Sequence, residues 1–298
     1  MTGQFLSRLG FAAAILVALS SAANAADKVK AVASFSILGD MVRHVGGNRV
    51  EVVTLVGPNA DAHVFNPTPA DVKALAAADV FFVNGLGFEG WIERLEKSSG
   101  FSGEVVVASK GVTPLTMREE EGHRYDPHAW QDLANGKIYV ANIRDALVGA
   151  DPDGESIYEA NAAKYLDAID AEEAAVKAAL GALPEARRKV ITSHDAFAYF
   201  GKAYGLDIVA PQGVSTESEA SAQDVARIIR QIKAAKIPAV FIENITDPRL
   251  LDRIARETGA KIGGALYSDA LSASGGPAPT YLGMFRHNVG AITAALSS

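Results

Sequence analysis

Three histidines and one aspartate fall where the chain turns rather than where it runs straight. His63 lies in the turn-rich GPNADAHVFNPTPAD, His128 in YDPHAWQD, His194 in VITSHDAF and Asp269 in ALYSDALS. Proline has a fixed φ, so Pro127 stiffens the turn that presents His128. Three imidazoles and one carboxylate make a tetrahedral N3O donor set suited to Zn2+, with Zn–N distances of about 2.0–2.1 Å. Each residue taken alone reads equally well as a cap, a hydrogen-bonding group or a surface residue. Sequence spacing does not establish convergence, so a shared metal site and four unrelated roles both stay open. Of the other histidines, His44 and His287 sit in helical patterns beside Arg43 and Arg286 and read as solvated surface residues. His123 belongs to the acidic stretch MREEEGHRYD with Glu119, Glu120 and Glu121. That stretch reads either as a solvated loop or as an accessory surface that captures metal and passes it on.

The elements that must position these residues alternate. In the first half, strands are predicted at 29–35, 49–56, 79–85 and 103–109, with helices at 37–46 and 68–78 and a helix opening at Ala129-Trp130. In the second half, strands are predicted at 188–193, 206–212, 238–244 and 261–268, with helices at 196–205, 221–236, 247–259 and 280–296. Short Val- and Phe-rich runs between helical patterns indicate parallel βαβ units, hence an α/β fold with two lobes. Between the halves, residues 153–183 carry Tyr158, Ala162, Tyr165, Ile169, Val176 and Leu180 three, four or seven apart, one apolar helical stripe. About 28 helical residues span roughly 42 Å, a length suited to a rigid helix running down both lobes. The predicted organisation is therefore residues 26–152 as an N-terminal lobe, 153–183 as a linking helix and 184–298 as a C-terminal lobe. In open α/β sheets ligands bind beyond the carboxyl ends of the strands, and the four candidate loops all lie there.

Residues 1–25 stand apart: Arg8 is their one charge, an apolar run follows from Leu9 to Leu19, and Ala23-Asn24-Ala25 closes the segment. The pattern is that of a cleaved secretory signal, and the run falls short of the ~20 residues a spanning helix needs. There are no cysteines, which excludes disulfides and, on the same reasoning, lipid attachment at a mature N-terminal cysteine. The expectation is a soluble periplasmic monomer that is not lipid-anchored. A formal net charge of -7 without a dense Lys/Arg cluster argues against nucleic acid as a partner.

The segments GPNADAHVFNPTPADVKALAAADVFFVNG, DPHAWQDLANG, VITSHDAFAYFGKAYGL and YSDALS resemble, in order, those of the metal-specific solute-binding proteins of bacterial ABC transporters, the zinc/manganese group often called cluster A-I. The resemblance covers nearly all of the chain beyond residue 26. It implies two α/β lobes joined by one long rigid helix, with a metal held between them by His63, His128, His194 and Asp269. It further implies a non-enzymatic protein that captures a metal and delivers it to an ABC permease in the inner membrane; the acidic stretch, read as a docking surface, adds a periplasmic zinc donor as a further partner. Manganese-transporting relatives commonly place a carboxylate at the third ligand position; His194 stands there, a softer choice that favours Zn2+ over Mn2+. Many zinc members carry a long His- and acid-rich insertion before the second ligand, which is here short, with one histidine. Two other classes remain as competitors. A secreted zinc hydrolase would need an open metal position and a base, and the chain has no H-E-x-x-H helix. A binder of an organic solute would use the histidines as hydrogen-bond donors.

Overall fold

The computed structural model describes residues 28–117 and 124–297. Among them, eight strands form two parallel sheets of four. The first sheet contains β1 (Val29–Phe35), β2 (Val50–Val56), β3 (Val80–Val83) and β4 (Glu104–Val107), with α1 (Ser36–Gly46), α2 (Pro69–Ala76) and α3 (Ile92–Ser99) in its connections. After it come α4 (Leu133–Ala150) and α5 (Glu155–Gly181). The second sheet contains β5 (Lys189–Ile191), β6 (Asp207–Val209), β7 (Ala239–Glu243) and β8 (Lys261–Leu266). Its helices are α6 (Ala198–Tyr204), α7 (Ala222–Ala235) and α8 (Arg249–Thr258), and α9 (Tyr281–Leu296) closes the chain.

Both sheets have the same spatial order, β2-β1-β3-β4 and β6-β5-β7-β8. The strand order therefore reverses between β1 and β3 in one sheet and between β5 and β7 in the other, and a crevice opens at the carboxyl end of each switch. Strand β1 is buried at every position but one and β3 at all four, as expected of parallel strands covered on both faces.

Helix α5 runs for 27 residues, roughly 40 Å at 1.5 Å per residue. Its buried face contains the six residues of the predicted stripe and one more, Glu172. The carboxylate of Glu172 accepts from Nε of Arg286 on α9 at 2.6 Å, which is how an acid is accommodated on an apolar stripe. Helices α1, α4 and α9 pack on α5, and one apolar core runs from β1 and β3 through α4 and α5 to α9 and part of the second sheet. A smaller cluster built on Ile191, Val240, Ile228 and Ile254 fills the other side of the second sheet.

The predicted elements differ from the structure mostly at their ends. Strand β6 is three residues long, and Pro211 follows it where no ladder donor is available. The helix expected to open at Ala129 is a short 3-10 turn, Ala129–Gln131, and α4 starts only after Asp132, whose side chain accepts from the Ala134 amide at 2.9 Å. Helix α3 was not predicted. The expected signal segment, residues 1–25, and the expected capture loop with Glu119, Glu120, Glu121 and His123 lie outside the described residues. No helix among the described residues is long and apolar enough to cross a membrane.

Candidate metal centre

Each of the three sequence-predicted histidines is set by a hydrogen bond from its own amide, and Asp269 by contacts on the two residues before it. His63 follows the turn after β2, where Trp91 Nε1 donates to the Ala62 carbonyl at 2.8 Å and Asp61 Oδ1 accepts from the His63 amide at 2.9 Å. His128 is held by Asp126, whose Oδ1 accepts from both the His128 amide at 2.9 Å and its Nδ1 at 2.8 Å. His194 follows β5, and its amide donates to Glu243 Oε1 at 2.8 Å, Glu243 being the last residue of β7. The second oxygen of Glu243 lies 2.5 Å from His194 Nδ1 as an ion-pair contact. Asp269 follows β8, in a segment where Asn288 of α9 accepts from the Tyr267 amide and donates to the Tyr267 carbonyl. Trp130 Nε1 and Gln131 Nε2 both donate to the adjoining Ser268 carbonyl, at 3.0 and 2.7 Å.

These contacts bring the four side chains to one point. One ligand atom from each of His63, His128, His194 and Asp269 lies within 4.8 Å of every other. Oδ2 of Asp269 is 3.3 Å from Nε2 of His63 and 3.2 Å from Nε2 of His194, and Oδ1 is 3.6 Å from Nε2 of His128. All four residues are buried. Yet the three Nε2 atoms and both Asp269 oxygens have no hydrogen-bond partner. Buried polar atoms without partners cost about 1–3 kcal/mol each, so five at one point is an arrangement built for something that satisfies them together. Lone pairs from three imidazoles and a carboxylate suit a divalent cation in tetrahedral coordination.

The electrostatics of the cluster are asymmetric. Burial works against charge on His128, but Asp269 and the Asp126 hydrogen bond outweigh it and push the imidazole up to about 9. Burial likewise opposes charge on His194, and Glu243 with Asp269 overcomes it, raising the imidazole well above its usual range. For His63 burial wins, and the imidazole is lowered. Asp269 is held well below the usual carboxylate range: burial opposes ionisation, and the charges of His194 and His128 prevail.

Six residues are candidates from sequence for supporting the ligands: Asp61, Asn66, Asp126, Asp195, Glu217 and Glu243. The structure puts Asp61, Asp126 and Glu243 on the three histidines, one carboxylate each. Asn66 instead donates to the Val64 carbonyl. Glu217 lines an open cavity of about 450 Å³ beside His63, with Phe65, Asn66, Trp91 and Arg94. Sequence reading missed a buried network at the switch of the first sheet. Asn84, just past β3, donates to the Pro127 carbonyl at 2.9 Å and accepts from the Tyr139 hydroxyl at 2.5 Å. Glu89 accepts from Ser34 Oγ, the Asn84 amide and the Gly85 amide, and burial pushes its carboxyl up to about 7. A polar pair at the end of an apolar strand, Asn84 and Glu89 in VNGLGFEG, was the available signal.

Residues 31–295 match the family described as zinc-uptake complex component A, periplasmic. A manganese-binding lipoprotein of Halalkalibacterium halodurans is 37% identical over 269 residues, covering 90% of this chain and 89% of its own. An iron-binding protein of Yersinia pestis is 35% identical, covering 93% of this chain and 89% of its own. Among solved structures, a periplasmic zinc-binding protein of Treponema pallidum superposes with a TM-score of 0.86 at 32% identity, over 90% of this chain and 99% of that one. The two-lobe fold with a long helix between the lobes is thus shared. One expectation is corrected. The Halalkalibacterium relative and several streptococcal ones are named as lipoproteins, which overturns the reading of a periplasmic protein without a lipid anchor.

Proposed function

Because the chain belongs to the zinc-uptake component A family, the cluster A-I substrate-binding proteins of metal ABC transporters, we propose that His63, His128, His194 and Asp269 hold one divalent metal as the transported substrate. Members of this family are solute-binding components and not enzymes, and their partner is the transporter's permease and ATPase. The observation that carries the proposal is the meeting of five unpartnered, buried ligand atoms at one point. Zinc is the metal we assign. Three imidazoles with one carboxylate leave the loaded site with a net charge of +1, and nitrogen-rich sites follow the general affinity order that places zinc above manganese. In our reading the loaded protein docks on the permease, which takes the metal when the contacts between the lobes shift.

A second reading, manganese as the substrate, is favoured by the relatives named for that metal. One experiment separates the two. The metal-free chain is titrated with Zn2+ and with Mn2+ in the presence of a competing chelator, beside the His194→Ala variant. The expected result is one tight zinc site per chain, weakened at least a hundredfold in the variant, with manganese displaced by equimolar zinc. Manganese retained against zinc would assign the site to manganese. No tight site for either metal would refute the four-ligand centre.

A further inference from the structure

The carboxylates behind the three histidines are not used alike. Asp126 spends one oxygen on both the amide and Nδ1 of His128, and Glu243 lies against both the amide and Nδ1 of His194. Asp61 also holds the amide of its histidine, through Oδ1, but its other oxygen turns away from the ring. Oδ2 accepts a hydrogen bond from Thr216 Oγ1 at 2.6 Å, and Thr216 is 155 residues away, in the loop that follows β6 of the other sheet. That loop is tied to the His194 segment. The Gln212 amide donates to the Ser193 carbonyl, the Asp195 amide to the Gly213 carbonyl, and the Gln212 side chain to the carbonyls of Thr216 and Ser218. A displacement of the second sheet therefore carries Thr216 with it.

His63 is also the ligand nearest to solvent. It borders the open cavity beside Trp91 and Glu217, whereas His128, His194 and Asp269 are fully enclosed. Metal reaching or leaving the centre by the shortest open path passes His63.

We infer that Asp61 and Thr216 form a latch between the lobes, a positioning pair that holds His63 over the metal and sets the rate at which the metal leaves. The inference rests on the four-ligand centre proposed above. While the lobes keep their present relation, both Asp61 oxygens are engaged and the His63 backbone is fixed. When the second sheet shifts, Thr216 withdraws, Asp61 is anchored at one oxygen only, and His63 is free to swing toward the cavity. Neither Asp61 nor Thr216 touches the metal position, so the pair acts on kinetics through His63.

The test is metal release from the full chain loaded with one zinc, followed by stopped flow into excess chelator. Thr216→Val keeps the β-branched shape and removes the hydroxyl; Thr216→Ser keeps the hydroxyl. Loss of one hydrogen bond to a carboxylate predicts release about tenfold faster for the valine variant. The serine variant should release at the wild-type rate, and the thermal midpoint of the metal-free chain should be similar for all three. A merely structural role for Thr216 would lower that midpoint without separating serine from valine in release rate, and would overturn the latch. Release by Thr216→Val at the wild-type rate, with one zinc still bound, would overturn the latch alone. Failure of the wild-type chain to bind zinc or manganese would remove the metal centre and the latch together.

Discussion

Metal binding by this protein should expel about two protons at neutral pH. In the metal-free chain His128, pushed up to about 9 by Asp269 and Asp126 against the effect of burial, is charged at pH 7. His194, raised well above its usual range by Glu243 and Asp269 against burial, is charged as well. His63, lowered by burial, is neutral, and Asp269 is ionised. A metal needs the lone pair of each Nε2, so two protons must leave and the third histidine contributes none. The sign follows directly: falling pH favours the protonated, metal-free form. While both groups remain charged, affinity should change by about a hundredfold per pH unit, or about ten thousandfold from pH 6 to pH 8. Calorimetric titration of zinc at pH 7 in two buffers of different ionisation enthalpy counts the protons from the slope of the apparent heat. Asp126→Asn removes the carboxylate charge that helps to hold the His128 proton, and should reduce the count toward one. A count near zero in the wild type, or an affinity flat between pH 6 and 8, would refute the charge assignment.

Two further predictions concern the supports. Asn84→Ala removes the acceptor of the buried Tyr139 hydroxyl and one of two donors to the Pro127 carbonyl, which keeps the Ala129 amide, and should cost about 1–3 kcal/mol in urea unfolding. Because Pro127 precedes His128, the same variant should bind metal less tightly. At Gly136 on α4, a Cβ would lie 2.6 Å from the Tyr281 hydroxyl and 3.1 Å from its Cε1, in a ring that is fully buried. Gly136→Ala should therefore lower stability by about 1–3 kcal/mol, read as a lower thermal midpoint, and an unchanged midpoint would refute this account of the packing.

The meeting of the four candidate residues was legible in the sequence because His63, His194 and Asp269 stand in loops that follow β2, β5 and β8, with His128 further along the connection after β4, and such loops converge when the sheets are parallel and open. The long helix was legible from its stripe, although Glu172 breaks the apolar pattern and its place on the buried face depends on Arg286, 114 residues away. The strand order was not legible. Local patterns announce β1 and β3 as strands but not that β1 lies between β2 and β3. The supports divide in the same way. Asp61 and Asp126 stand two residues before their histidines and invite the pairing, whereas Glu243 reaches His194 from a different strand. Thr216 carries no local sign at all, since its meaning comes only from the lobe it faces.

Helix α9 follows all eight strands in sequence, which orders the steps of folding during synthesis. The Tyr281 amide donates to Asp40 on α1, its hydroxyl donates to the Trp130 carbonyl beside His128, and Asn288 braces Tyr267 near Asp269. None of these contacts can form until α9 has left the ribosome, although the first sheet is complete much earlier. A nascent chain can thus assemble strands and helices in sequence while the supports around His128 and Asp269 are still missing. A chain stopped before α9 lacks the bonds that brace the segments carrying His128 and Asp269.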